Sequence, residues 1–262
     1  MRVLISHMVA NRVNLMQNDY CAGIPSPTAF LGLAATISHR LGMGRWSVGV
    51  LPILHDVTPS IGRLRPAMEP KSGVYKTVEI QEDMTGQVRF SLLVDFEGLR
   101  TPEAVRDAVT GLRLAGGVIF DDGGPVRATL VPEDAGALRT SRRGYALVPR
   151  ICEHKNASAF GDAGSLAEVA SELWPENRAE NRGWRVPVAI GYRLLGRPGP
   201  APRGSRDPGI PHVFAEPGVG VGELISVRSR RLGELGPGTF RDLFWSWSVT
   251  ETHILAHRAY AA

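Results

Sequence analysis

The sequence predicts an α+β protein: a ferredoxin-like (RRM-like) βαββαβ domain over residues 1–135 with an inserted β-hairpin thumb, followed by a smaller C-terminal α+β part over 136–262. Three observations carry this. Apolar runs that read as strands alternate with two capped helical segments in the order β-α-β-β-α-β. A basic, turn-rich insertion separates the second and third strands. The second half contains further strand-like runs, broken by a Pro/Gly/Arg loop.

The elements follow in order. Val3 to Val9 is apolar enough for a buried strand, and the asparagine-rich stretch Ala10–Gly23 reads as its polar sequel. Ser26 is placed as an N-cap with Pro27 at the first helical position, where a missing N–H costs nothing. Phe30, Ala34, Ile37 and Leu41 then recur at helical spacing, and Gly42 closes the helix. Trp46–Leu54 reads as the second strand, and the alternation of Val88, Phe90, Leu92, Val94 and Phe96 marks the third. Between them Val57–Ile80 reads as a projecting basic hairpin with Arg63, Arg65, Lys71 and Lys76. Thr101–Pro102 starts a second helix with Val105, Val109 and Leu112 on one face, ending at Gly116–Gly117 before the short strand Val118–Phe120. Such an arrangement puts both helices on one face of a four-stranded sheet and leaves the other face free to bind.

In the second half, Tyr145–Val148 and Val186–Tyr192 read as strands. Ser165–Glu168 forms a capping box for a helix through Leu173 that Pro175 ends. Thr239 caps a short helix, Phe240–Trp247, with Phe240, Leu243, Phe244 and Trp247 on one face.

Composition excludes several classes. Two cysteines, Cys21 and Cys152, with no CxxC pair, build neither a disulfide framework nor a four-cysteine zinc site and fit a reducing cytoplasm. No stretch approaches the roughly 18 apolar residues of a membrane span. Gly218, Gly220 and Gly222 are spaced GxGxG rather than GxGxxG, and no P-loop occurs, so they read as a loop permitting close backbone approach. His253 and His257 stand at i, i+4 but lack an HExxH context, and no GxSxG elbow is present. No metal or cofactor is implied.

Of the 30 basic residues only Lys71, Lys76 and Lys155 are lysines; the arginine fork suits phosphate and base edges, although a GC-rich genome produces the same bias. The clusters Arg63/Arg65/Lys71, Arg139/Arg142/Arg143/Arg150 and Arg228/Arg230/Arg231 on a possible RNA-binding fold favour phosphate contacts over an ordinary solvated surface. A different chemistry remains open: His7, His39 and His55 fall near element ends, and metal-free RNA cleavage needs such groups as base and acid.

Several stretches together resemble a known family: Gly23–Gly32 (GIPSPTAFLG), Leu112–Gly117 (LRLAGG), Gly144–Arg150 (GYALVPR), Gly183–Pro187 (GWRVP), Val219–Leu224 (VGVGEL) and Leu243–Trp245 (LFW). They are similar, in order, to the 5′-handle-binding RAMP-superfamily subunit of type I-F CRISPR surveillance complexes, the Csy/Cascade family. The resemblance implies a non-catalytic subunit that clamps the 5′ handle of the CRISPR RNA (crRNA), pairs with the large subunit and receives the first backbone subunit beside its thumb, close to target DNA. The contacts expected are Asn11, Arg12 and Asn14 after the first strand, Ser26, Arg113, Gly116 and Gly117, with Arg142, Arg143 and Arg150 on phosphates and Arg63, Arg65 and Lys71 on the thumb. The alternative from a different class is a metal-independent endoribonuclease that processes repeat RNA.

Overall fold

The computed structural model describes residues 1–44, 46–60, 68–77, 84–98, 101–149, 170–171, 173–175, 184–233 and 235–258. The first half runs β1 (Arg2–Asn14), α1 (Pro27–Arg40), β2 (Gly49–Pro59), the hairpin β3 (Met68–Lys71) and β4 (Val74–Thr77), β5 (Thr85–Asp95), α2 (Pro102–Val109), β6 (Arg113–Leu114), β7 (Gly117–Asp121) and β8 (Arg127–Leu130). It continues with α3 (Gly136–Arg139), β9 (Tyr145–Pro149), β10 (Trp184–Leu194), β11 (Ala215–Ser226), α4 (Arg230–Gly233), α5 (Pro237–Arg241), β12 (Trp245–Val249) and β13 (His253–Arg258). The fold is α+β, dominated by one large antiparallel sheet.

The helix starts follow their caps. Ser26 holds an extended backbone and accepts the Ala29 amide at 3.2 Å; Thr101 does the same for Ala104 at 3.3 Å, each with proline next in line. The inserted hairpin forms its own two-stranded sheet, turned by Ser72 and Gly73, both at positive φ, as a tight two-residue turn requires. Arg63 and Arg65 lie outside the described residues.

Strands β7, β1, β5 and β2 lie side by side in that order, all antiparallel. One face carries Val3, Ile5, Met8, Val88, Phe90, Leu92 and Val94, which pack with Phe30, Ala34 and Ile37 of α1 and Val105 and Val109 of α2. Phe30 and Phe90 meet edge to face at 5.7 Å between centroids. Full burial of each such side chain is worth about 1.5–3 kcal/mol.

The opposite face is not free along its length, contrary to the expectation of an open four-stranded sheet. Leu4, Leu51, Ile53 and Leu93 are buried beneath Leu138, Leu232, Phe240, Leu243 and Phe244. The sheet also continues past β2 through β9, β11, β10, β13 and β12, and Trp245 of β12 pairs with Val50, so the later strands close back onto the edge of β2. Strands from before and after residue 135 thus belong to one hydrogen-bonded sheet. What stays polar on the second face is the end where β2 leaves and β5 enters, at Gln87, Arg89 and Ser91.

Three further expectations are corrected. β1 does not stop at Val9; it runs to Asn14 by way of register shifts between Ile5 and Met8 and between Ala10 and Val13, with His7 and Arg12 at φ 63° and 58°. Trp245–Val249 is a strand paired with β13, because cross-strand hydrogen bonding overrides the helical spacing, and the preceding helix is Pro237–Arg241 with Gly236 as its cap. His253 and His257 therefore sit on a strand, and no metal-binding group of three or more His, Cys, Asp or Glu occurs among the described residues. Gly218, Gly220 and Gly222 lie in β11 rather than a loop; a Cβ on Gly220 would meet Ile190 at 2.8 Å and one on Gly222 would meet Leu147 at 2.9 Å. The capping box at Ser165 lies outside the described residues.

Candidate nucleic-acid interface

The second half of β1 turns its non-core positions to the polar end of the second face. Asn11 accepts a hydrogen bond from Gln87 Nε2 at 2.8 Å, and Asn14 accepts the Met16 amide at 2.9 Å on its side-chain oxygen. Each bulge places a large non-glycine residue, His7 and Arg12, at positive φ, a conformation that costs energy and concentrates at functional sites. Arg12 is exposed.

Beside the end of β1 stands the β6–β7 turn. Ala115 and Gly116 both take positive φ, 44° and 84°, and the Ala115 carbonyl accepts the Asn14 amide at 2.9 Å. Arg113 curls over the turn, its Nη1 donating to the Gly116 carbonyl at 2.9 Å. Gly117 is required by space: a Cβ would lie 2.7 Å from the Asn11 carbonyl oxygen and 2.8 Å from the Val13 nitrogen.

On the other side of His7 lies a linked group of charges. Asp122, mostly covered, has one carboxylate oxygen 2.6 Å from Arg142 Nη1 and the other 3.3 Å from Arg89 Nε. Arg89 also reaches Asp56 at 3.7 Å. Both guanidinium groups are about half exposed, so Asp122 lies beneath and the positive charge lies outward. The His7 Nδ1 is 3.3 Å from the Asp122 carbonyl. His55 is bonded at both ring nitrogens, Nδ1 to the Arg143 carbonyl at 2.9 Å and Nε2 to Ser91 Oγ at 2.7 Å. A carbonyl only accepts, so His55 carries its proton on Nδ1 and accepts a hydrogen bond from the Ser91 hydroxyl at Nε2. Burial pushes the His55 pKa below its ordinary value; the Arg143 carbonyl opposes this, and the Arg142 guanidinium reinforces it.

The structure thus gathers Asn11, Arg12, Asn14, Arg113, Gly116 and Gly117 at one end of β1, with Arg142 and Arg143 further along, at Asp122 and His55 near the middle of the strand. Against Arg12, Arg89, Arg113, Arg142 and Arg143 stand the carboxylates of Asp56 and Asp122. Ser26 stands apart from this group. Ser26 is buried and its hydroxyl is engaged by the Ala29 amide and by Thr28 Oγ1 at 2.7 Å, which leaves it a cap. Lys71 ends β3, and Arg63, Arg65 and Arg150 lie outside the described residues. Arg231 pairs with Glu223, its Nη2 3.0 Å from Oε2, and this contact raises its pKa.

Sequence reasoning missed Arg89, Asp122, Gln87 and Ser91. A signal for three of them existed: Gln87, Arg89 and Ser91 are the polar alternates of the apolar run Val88, Phe90, Leu92, so they share the face opposite the helices. Asp122 carries no such mark.

Residues 148–255 match the family model Cas_Csy2, a CRISPR-associated protein family. The match covers less than half of the chain, and within it lie the GWRVP, VGVGEL and LFW stretches that carried the resemblance, which is borne out there as that of a Csy/Cascade subunit. No curated protein matches the chain. No helix among the described residues is long and apolar enough to cross a membrane.

Proposed function

We propose that this chain, a Csy2-type CRISPR-associated subunit by its matched second half, is a non-catalytic, cytoplasmic RNA-binding component of a type I-F-like surveillance complex. It holds the crRNA 5′ handle across β1, the β6–β7 turn and the Arg142–Arg143 loop, and it anchors the large subunit and the first backbone subunit, the latter beside the β3–β4 thumb, near target DNA. The observation that carries this reading is the convergence of exposed amides and arginines on a doubly bulged strand, with tight glycine turns that let backbone approach a strand closely. Splayed single-stranded bases are read by such amide edges and stacked guanidinium planes, while the arginines meet phosphates.

Filter binding of handle RNA over a salt series tests the reading. Arg142→Ala/Arg143→Ala weakens binding and lowers the slope of log K against log[salt] by about 0.7 for each phosphate that the arginines no longer neutralise. A slope and affinity equal to wild type refute it. Site-specific cuts of repeat RNA in EDTA, abolished in His7→Ala or His55→Ala, establish the endoribonuclease instead.

A further inference from the structure

A cavity of about 330 Å³ opens between α3, the end of β11 and α4. Its floor is apolar, from Leu138, Val227 and Leu232, and its rim carries Arg139, Arg228, Ser229 and Arg230. Two basic clusters that lie far apart in sequence are therefore brought to one concavity. Among the described residues no carboxylate lines it.

Arg228 is fixed in place. Its Nη1 donates to the Leu138 and Arg139 carbonyls, both at 3.1 Å, and its Nη2 to the Ser141 carbonyl at 2.7 Å. These bonds tie down the chain that ends α3 and leads into Arg142. Arg139 and Arg230 are exposed. A concave surface with one sign of charge concentrates its field and raises the local density of counter-ions. Guanidinium forks match the oxygens of a phosphate in geometry as well as in charge.

We propose that this cavity is a phosphate site for one phosphodiester of the bound RNA strand, with Arg139 and Arg230 as its contacts and Arg228 as the residue that positions the rim. This deepens the handle-binding reading and rests on it. Two residues separate Arg139 from Arg142, so their Cα atoms, three steps along the chain, are at most about 11 Å apart. Even at the close phosphate spacing of a duplex strand, roughly 3.4 Å, an RNA held at Arg142 covers that span within about three nucleotides.

The test is the salt dependence of handle-RNA binding by the full chain. Arg139→Ala/Arg230→Ala lowers the slope by about 0.7, one phosphate of a single strand, and Arg139→Lys/Arg230→Lys restores it because the charge returns. Arg203→Ala/Arg206→Ala, which removes the same charge from the exposed 196–211 loop, leaves the slope at the wild-type value. An unchanged slope in the first variant with handle binding intact overturns the cavity assignment alone, as does an equal fall in the loop control. A fall confined to single-stranded DNA of the same length also overturns it, because the cavity then serves another strand. Failure of the wild-type chain to bind handle RNA overturns the handle-binding reading and this inference together.

Discussion

Arg2 is wholly buried, a position that arginine occupies only when paired. Its Nη2 donates to Asp95 Oδ2 at 3.0 Å, and its guanidinium carbon lies 5.2 Å and 4.6 Å from the ring centroids of Phe240 and Phe244. No acceptor among the described residues serves its Nε or Nη1. Among those residues Asp95 is thus the one carboxylate bonded to a charge clamped between the first sheet and the C-terminal aromatic cluster. Asp95→Ala strands that charge, and removing one partner of a buried pair costs about 3–5 kcal/mol. At about 2–4 °C per kcal/mol for a chain of this size, Tm falls by roughly 6–20 °C. Arg2→Met/Asp95→Leu removes both charges and recovers most of the loss, because the desolvation penalty leaves with the pair. Urea and thermal denaturation followed by circular dichroism measure both variants. A cost below about 1 kcal/mol for Asp95→Ala, or a double variant no better than the single, refutes the reasoning.

Gly117→Ala drives a methyl into the Asn11 carbonyl and the Val13 amide, both backbone, so β1 or β7 must shift. We expect a loss of about 1–3 kcal/mol in urea unfolding, with weaker handle binding in the filter assay. Stability also falls with acid. The His55 and His257 pKa values lie below the ordinary 6.5, chiefly through burial, so below that pH the unfolded chain takes up protons that the folded chain refuses. This contribution is intact above pH 6.5 and is lost as the pH falls toward the folded-state values. Urea unfolding at pH 7.5 and 5.5 measures it; His55→Asn, which cannot titrate there, loses less between the two, and an equal loss contradicts the assignment.

Local chemistry made part of this legible. Ser26, Pro27 and Gly42 bracket α1 because caps act within a few residues of chain, and the thumb hairpin shows in its turn-rich insertion. The burial of the second face was not legible, since Phe240 and Phe244 meet Leu4 and Leu51 only after the chain has returned across most of its length. The length of β1 was hidden for a different reason. Its core residues Val3, Ile5, Met8, Ala10 and Val13 are spaced two, three, two, three, so no regular period carries the strand past the apolar run and into the asparagine-rich stretch. In the candidate interface, Asn11, Arg12 and Asn14 were found by residue type, whereas Arg89 and Asp122 matter through pairings that span the fold.

From Arg2↔Asp95 to Asn14↔Thr85, a strand of 13 residues is matched against one of 11. The surplus of two is the pair of irregularities around His7 and Arg12, and each inverts the phase that the other restores. The interior side of the strand thus keeps step with β5 while His7 and Arg12 stand outside the alternation, and the first of them falls where the strand's other edge passes from β8 to β7.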